Sequence, residues 1–215
     1  MTCYHPVTAY KYGNAKTGYF HTHNPILGKK KGGVPYQHPC GQCIGCRLSK
    51  SLHWALRCYH ESTLYLDNCF ITLTMNDDYL YTRPNPYSIQ RQKYMKENYG
   101  TQDEFSLFMM RLRKKFGSGI RFLMCGEYGT SDNGHLGRPH YHAIIFNHDF
   151  ADKELYKENN GNRLYRSDAL DALWTDPVSK MQMGYCSIGS VTIDSAGYVA
   201  RYALKKVTGK NQDNI

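Results

Sequence analysis

The chain has 215 residues, with 27 Lys or Arg against 18 Asp or Glu, a formal net charge of +9 and a pI near 9.1. Hydrophobic residues make up 41% and aromatics 13%, so a packed core is within reach and a wholly disordered chain is excluded. No apolar run approaches the roughly 18 residues of a membrane helix, and Met1–Pro6 lacks the basic and apolar regions of a secretory leader. The expectation is a soluble, intracellular protein whose basic balance and 19 tyrosines suit a polyanionic partner.

Residues 1–46 are rich in Gly, Pro, Asn, Lys and Tyr and show no sustained periodicity. Lys29-Lys30-Lys31-Gly32-Gly33 reads as an exposed loop. Cys40-Gly-Gln-Cys43-Ile-Gly-Cys46 then makes two overlapping C-x-x-C knuckles ahead of a helix. In an oxidising compartment eight cysteines would suggest disulfides; in a reducing one this spacing points to metal. Tetrahedral zinc needs a fourth ligand, for which Cys3 is the first candidate and His5 and His38 the alternatives. Such a site would tie the N-terminus to the helix start and order the segment between them.

From Arg47, the residues Leu48, Leu52, Ala55, Leu56 and Tyr59 recur at helical spacing and predict an amphipathic helix to about Leu66, with these side chains as its apolar stripe. Cys69–Met75 reads as a strand, and residues 76–100 as a polar loop. Thr101 and Glu104 fit a capping box opening a helix whose stripe is Phe105, Phe108, Met109, Leu112 and Phe116, stopped by Gly117. Its Arg111, Arg113, Lys114 and Lys115 form a basic last turn, which suits the helix dipole. Ile120–Glu127 and Arg138–Phe146 read as antiparallel strands joined by the turn-rich Gly129–Gly137. Ser167 can cap a short helix through Trp174, Gly184–Ile193 reads as a strand, and a last helix runs from Asp194-Ser195 through Lys206. This order favours an α+β sandwich over a doubly wound sheet. Cys58, Cys69, Cys125 and Cys186 fall within these patterns and are expected in the core.

Two further constellations carry chemistry. His140 and His142 sit two apart on a strand, so both point to one face while Tyr141 points to the other. Glu127, ending the preceding strand, can bring a carboxylate beside them, with Asp77, Asp78 and His135 as alternative third ligands. Two imidazoles and one carboxylate leave coordination positions open, as a catalytic metal site requires. Tyr198 and Tyr202 lie one turn apart on the last helix, about 6 Å along its axis, with Arg201 and Lys205 each three residues after a tyrosine. A phenol is a poor nucleophile at neutral pH, so a nearby cation or a metal at the target phosphate has to assist it.

Together these motifs resemble the replication initiators of microvirus single-stranded DNA phages, the gokushovirus type in particular, within the HUH rolling-circle endonucleases. The matching residues are Cys69–Thr74 (first motif), His140-Tyr141-His142 (histidine motif) and Tyr198–Lys205 (two-tyrosine motif). Cys40–Cys46 with Arg47 and Trp54 is similar to the gokushovirus N-terminal region. Glu127 stands where many relatives carry the third metal ligand. The resemblance spans roughly residues 3–206. The tyrosines follow the histidine pair, as in replication initiators, whereas relaxases place them before it.

The resemblance implies an HUH endonuclease fold: a central antiparallel sheet with flanking helices, and an N-terminal zinc-stabilised segment. The corresponding division is 1–66 (Cys-rich segment and helix), 67–207 (endonuclease core) and 208–215 (tail). It also implies Mg2+ or Mn2+ on Glu127, His140 and His142, structural zinc on Cys3, Cys40, Cys43 and Cys46, and catalytic roles for Tyr198, Tyr202, Arg201 and Lys205. The reaction would be nicking and rejoining of origin DNA through a 5′-phosphotyrosine, in the cytoplasm of the infected bacterial host. Arg201 departs from the lysine often found after the first tyrosine, which sets Tyr198 apart from Tyr202. The sequence has no Walker-type loop, so strand separation would fall to a host helicase and replication machinery. The chain ends soon after the tyrosine helix, so either the protein is compact or a C-terminal region lies outside this chain. The competing expectation is a non-catalytic, zinc-containing protein that binds single-stranded nucleic acid.

Overall fold

A computed structural model of the chain describes residues 3–81, 97, 103–130, 136–159 and 161–203. The chain forms two compact units, Met1–His53 and Trp54–Ile215.

The first unit is a three-stranded antiparallel sheet in the order β2-β1-β3, built from β1 (Val7–Asn14), β2 (Gly18–Thr22) and β3 (Val34–His38). Between β2 and β3 lies α1 (Pro25–Lys30), whose first N–H groups donate to the Asn24 side chain, with proline in the first turn. A sheet therefore stands where the sequence reads as coil. The alternation that marks a half-buried strand is missing because aromatics occupy both faces. Tyr10, Tyr12 and Phe20 share one, and Tyr19 and Tyr36 the other. Helix α2 (Ile44–Ser62) begins in this unit and ends in the second.

The second unit holds a six-stranded sheet with every described pairing antiparallel, in the order β5-β6-β4-β9-β8-β7. Its strands are β4 (Asn68–Thr74), β5 (Arg121–Thr130), β6 (Leu136–Phe146), β7 (Glu154–Asn159), β8 (Asn162–Arg166) and β9 (Cys186–Gly189). The helices are α3 (Asp77–Tyr81), α4 (Glu104–Phe116), α5 (Asp168–Leu173) and α6 (Ile193–Ala203). The α+β class with an antiparallel sheet is thus observed. Among the described residues no helix is long and apolar enough to cross a membrane.

Both faces of the sheet are covered, so β6 is buried without a break from His142 to Phe146. Ile71, Leu73, Ala143 and Ile145 form one core with α4 and with Trp174, whose indole N–H donates to the Thr74 carbonyl at 2.7 Å. The α4 stripe is buried as its spacing predicts, except that Phe116 is half-exposed with its ring 4.5 Å from that of His148. The cap is Asp103, accepting from the Ser106 N–H, while Thr101 lies outside the described residues. Arg111 and Arg113 donate to the carbonyls of Leu173 and Ile120. On the opposite face Ile144, Phe146 and Cys125 meet α2 and α6 through Ala55, Cys58, Ala196 and Val199. The four cysteines expected in the core are free and buried there.

The buried face of α2 differs from the stripe read in the sequence. Ser51, Ala55 and Cys58 are buried, whereas Leu52 is 50% and Leu56 40% exposed. Close approach decides this. A Cβ placed on Gly197 of α6 would lie 4.0 Å from the Ala55 Cβ, so the contact accepts small side chains and turns the leucines outward.

Candidate active site

The β5–β6 pairing sets Glu127 directly opposite His140, and β4–β6 sets Thr72 directly opposite His142. Alternation therefore gathers Glu127, His140 and His142 on the face covered by α6. Tyr141 points the other way, with its ring against Trp174 and its hydroxyl donating to Glu104. No Cβ interferes behind it, because Gly126 is its cross-strand partner and an alanine there would come within 3.2 Å of the ring.

The ligand atoms of Glu127, His140 and His142 all lie within 4.8 Å of one another. Glu127 Oε1 is 2.7 Å from His140 Nε2 and 3.6 Å from His142 Nε2. Each imidazole has its other nitrogen engaged: His140 Nδ1 is 3.0 Å from the Arg138 carbonyl, and His142 Nδ1 is 2.9 Å from the Thr72 hydroxyl. A carbonyl only accepts, so His140 Nδ1 carries a proton and Nε2 is the atom turned to the carboxylate. Burial, followed by the neighbouring His140, lowers the pKa of His142 and favours its neutral, ligating form.

These residues fit a divalent cation. Glu127 Oε2 is buried with no hydrogen-bond partner, an arrangement that is costly unless something else meets it. Both histidines are oriented through Nδ1 with Nε2 converging, as metal-ligating histidines are. Asp77 is instead ion-paired with Arg138, Asp78 lies in the first turn of α3, and His135 is outside the described residues.

From α6, the Tyr198 hydroxyl donates to Glu127 Oε1 at 3.1 Å and lies 3.5 Å from His142 Nε2. Burial and then the Glu127 carboxylate push the Tyr198 phenol above its ordinary range. The Tyr202 ring is 4.6 Å from that of Tyr198, and a side-chain hydrogen bond couples the two phenols. Arg201 is exposed in the last turn of α6, and Lys205 lies outside the described residues. Thr72 is the site residue that sequence reading does not single out. Its signal is present in the alternation of Cys69–Thr74, which puts Phe70, Thr72 and Thr74 on one face.

The first unit brings its four sequence-marked thiols together. Cys3 Sγ is 3.6 Å from Cys40 and 3.8 Å from Cys43, and Cys40 is 4.0 Å from Cys46. A zinc tetrahedron with Zn–S near 2.3 Å has an edge of about 3.8 Å, so this donor set fits zinc. Backbone N–H groups donate to three of the sulfurs, from Cys40 to Cys3, from Cys43 to Cys40 and from Tyr4 to Cys43. Hydrogen bonds from the Cys46 and Tyr4 N–H groups hold the Cys43 thiol down to about 6, while desolvation pushes Cys46 up to about 12. His5 and His38 are not part of the cluster.

The family model for replication-associated proteins of the ORF2 type matches residues 68–207, which run from β4 past the end of α6 and include the whole Glu127, His140, His142 and Tyr198 group. The chain belongs to this family. It is 34% identical over 227 residues to "Replication-associated protein VP4" of Bdellovibrio phage phiMH2K, covering 100% of this chain and 61% of that protein. It is 32% identical over 179 residues to "Replication-associated protein ORF2" of Spiroplasma virus 4, covering 80% of this chain and 49% of that one. The chain thus spans less than two thirds of the length of these relatives. They bear out the resemblance to microvirus-type replication proteins. No solved structure matches the chain.

Proposed function

We propose that this protein initiates rolling-circle replication of a single-stranded DNA phage as an HUH endonuclease of the two-tyrosine type. It nicks origin DNA and rejoins it through a 5′-phosphotyrosine. The observation that carries this reading is the Tyr198 hydroxyl hydrogen-bonded at 3.1 Å to Glu127, within a largely buried carboxylate–histidine–histidine group. A strand-binding protein without chemistry has no use for that arrangement. The family membership and the phage relatives support a role in replication, in the cytoplasm of the infected host with a host helicase separating the strands.

Glu127, His140 and His142 would hold Mg2+ or Mn2+, which when bound offsets negative charge at a scissile phosphate. Thr72 and the Arg138 carbonyl fix the two imidazoles, so their Nε2 atoms need no reorganisation. Glu127 Oε1 holds the Tyr198 hydroxyl at the site, and α6, locked by Ala196 and Val199, fixes the ring. In the cleavage step the phenol oxygen forms a bond to phosphorus as the bond from phosphorus to the 3′ oxygen breaks. The 3′ oxygen takes up a proton and is left as a hydroxyl that can prime synthesis. The phosphodiester energy stays in the tyrosine link, so rejoining needs no ATP. Cys3, Cys40, Cys43 and Cys46 hold zinc in a structural role.

The test is incubation of the protein with a labelled origin oligonucleotide and Mn2+. Cleavage that leaves protein on the 5′ fragment is expected, lost in EDTA and in His140→Ala or His142→Ala. Single-strand binding should largely persist in both variants, because Lys and Arg contacts to phosphate dominate affinity. Binding without cleavage under any divalent cation would favour the non-catalytic zinc protein and overturn this reading.

A further inference from the structure

We propose that the face of the first unit's sheet bearing Lys11, Tyr19, His21 and Tyr36 is a stacking platform for single-stranded DNA. The register puts these residues together. Lys11 pairs with His21, Gly13 with Tyr19 and Ala9 with Tyr36, so alternation directs all four side chains to one side of β1, β2 and β3. The contacts agree: Lys11 Nζ sits 4.0 Å over the Tyr19 ring, and the Tyr36 hydroxyl is 3.0 Å from His21 Nδ1. The rings are not a closed core, since Tyr19 is 56% and Tyr36 37% exposed. Ala9, 1% exposed, is the small residue of the central strand between them, and it leaves room for rings from the two outer strands to approach across it.

Charge names the occupant. Residues 1–53 contain seven Lys and Arg and no Asp or Glu, so this quarter of the chain carries seven of its nine net positive charges. A surface without one carboxylate attracts a polyanion from any approach. The exposed aromatic faces then select among polyanions. Bases in a duplex are already stacked on one another and offer only phosphates, whereas unpaired bases gain a new π surface on each ring. Lys11 beside Tyr19 supplies a phosphate contact next to a stacked base, and the bond between Tyr36 and His21 fixes the ring before DNA arrives, reducing the ordering cost. None of these residues belongs to the Glu127 group. The choice of DNA rests on the proposed function; the stacking argument does not.

The experiment uses the full chain and a fluorescein-labelled 20-mer of thymidylate, read by anisotropy. The Tyr19→Leu/Tyr36→Leu pair keeps apolar bulk but has no π face, and should weaken binding at least tenfold. Tyr19→Phe/Tyr36→Phe should bind within about twofold of the wild type, and the Leu pair should bind a 20-base-pair duplex within about twofold of the wild type. Because lost folding would impair both ligands, the retained duplex affinity and a single Tyr19→Leu variant separate stacking from stability. At saturating oligonucleotide the Leu pair should nick at the wild-type rate. Unchanged single-strand affinity in the Leu pair, or equal losses for single strand and duplex, would overturn the platform. So would a wild-type preference for a uridylate 20-mer over thymidylate. A wild type that never nicks would instead sink the proposed function and leave the affinity comparison intact.

Discussion

Thr72 and His142 are partners twice over: they face each other across the β4–β6 pair, and the threonine hydroxyl lies 2.9 Å from His142 Nδ1. That bond fixes the ring so that Nε2 turns to Glu127. Outer partners of ligating histidines set tautomer and orientation, and their loss costs roughly 10–100-fold in metal affinity. Thr72→Val keeps the β-branched shape and the strand while removing the hydroxyl. Mn2+ titration by calorimetry should show affinity weakened by about that factor, with the melting temperature close to wild type. Thr72→Ser should restore most of the affinity. A Thr72→Val protein that binds Mn2+ like the wild type would show that the hydroxyl does not orient the ligand.

The cysteine cluster acts on folding. The first unit has few buried side chains, Ala9 among them, so its sheet draws little from hydrophobic burial. Zinc binding free energy becomes folding free energy when no site exists in the unfolded chain. Cys43→Ser should therefore reduce bound zinc below one per chain and lower the first melting transition by roughly 10 °C. Metal analysis of freshly purified, unchelated protein checks the first statement and differential scanning calorimetry the second.

Legibility in the sequence follows how many faces each element buries. α4 is readable because one stripe is buried and the rest is solvated, and Ser167 is readable as a cap because its hydroxyl accepts from Leu170 N–H. β7 and β8 escape sequence reading although Asn160-Gly161 is a hairpin signal, because their side chains are mostly exposed and show no apolar alternation. The α2 stripe is misplaced because periodicity registers large apolar residues, and the contact at Gly197 admits only small ones. At the candidate site, His140 and His142 are legible from strand alternation alone. Glu127 needs the cross-strand register, and the proximity of Tyr198 to it depends on how α6 lies over the sheet, which no local pattern encodes.

His148 makes stability depend on pH. Its ring lies between Phe116 and Phe150, with centroids 4.5 and 4.7 Å away, and Nε2 is buried without a hydrogen-bond partner. Burial lowers its pKa, and Asp149 and Asp67 offset only part of that. The unfolded histidine takes up a proton near pH 6.5 while the folded one still resists it, so protons favour the unfolded chain below that pH. The melting temperature should fall as pH drops from about 6.5 towards 5 and be level just above it. His148→Leu should flatten that fall without changing nicking at pH 7.5. An unaltered pH slope in the variant would assign the effect to other groups.

The last prediction concerns the tyrosine pair. A nucleophile that has cut the origin stays occupied by the covalent DNA end, yet rolling-circle synthesis needs a second cut at the regenerated origin before that end is released. Tyr198 already contacts Glu127, and Tyr202 lies one turn on with its ring 4.6 Å from that of Tyr198. A small shift of α6 or of the DNA would exchange them, since residues four apart share a helix face. Tyr198→Phe and Tyr202→Phe should each retain some nicking and the double variant none. Tyr198→Phe should be the slower, because it removes the phenol held at the site. Mass spectrometry of DNA-linked peptides should recover Tyr202 from the first variant and Tyr198 from the second. If all covalent product maps to Tyr198, and Tyr202→Phe still completes full replication rounds, the two do not alternate and Tyr202 serves only to pack α6 against the sheet.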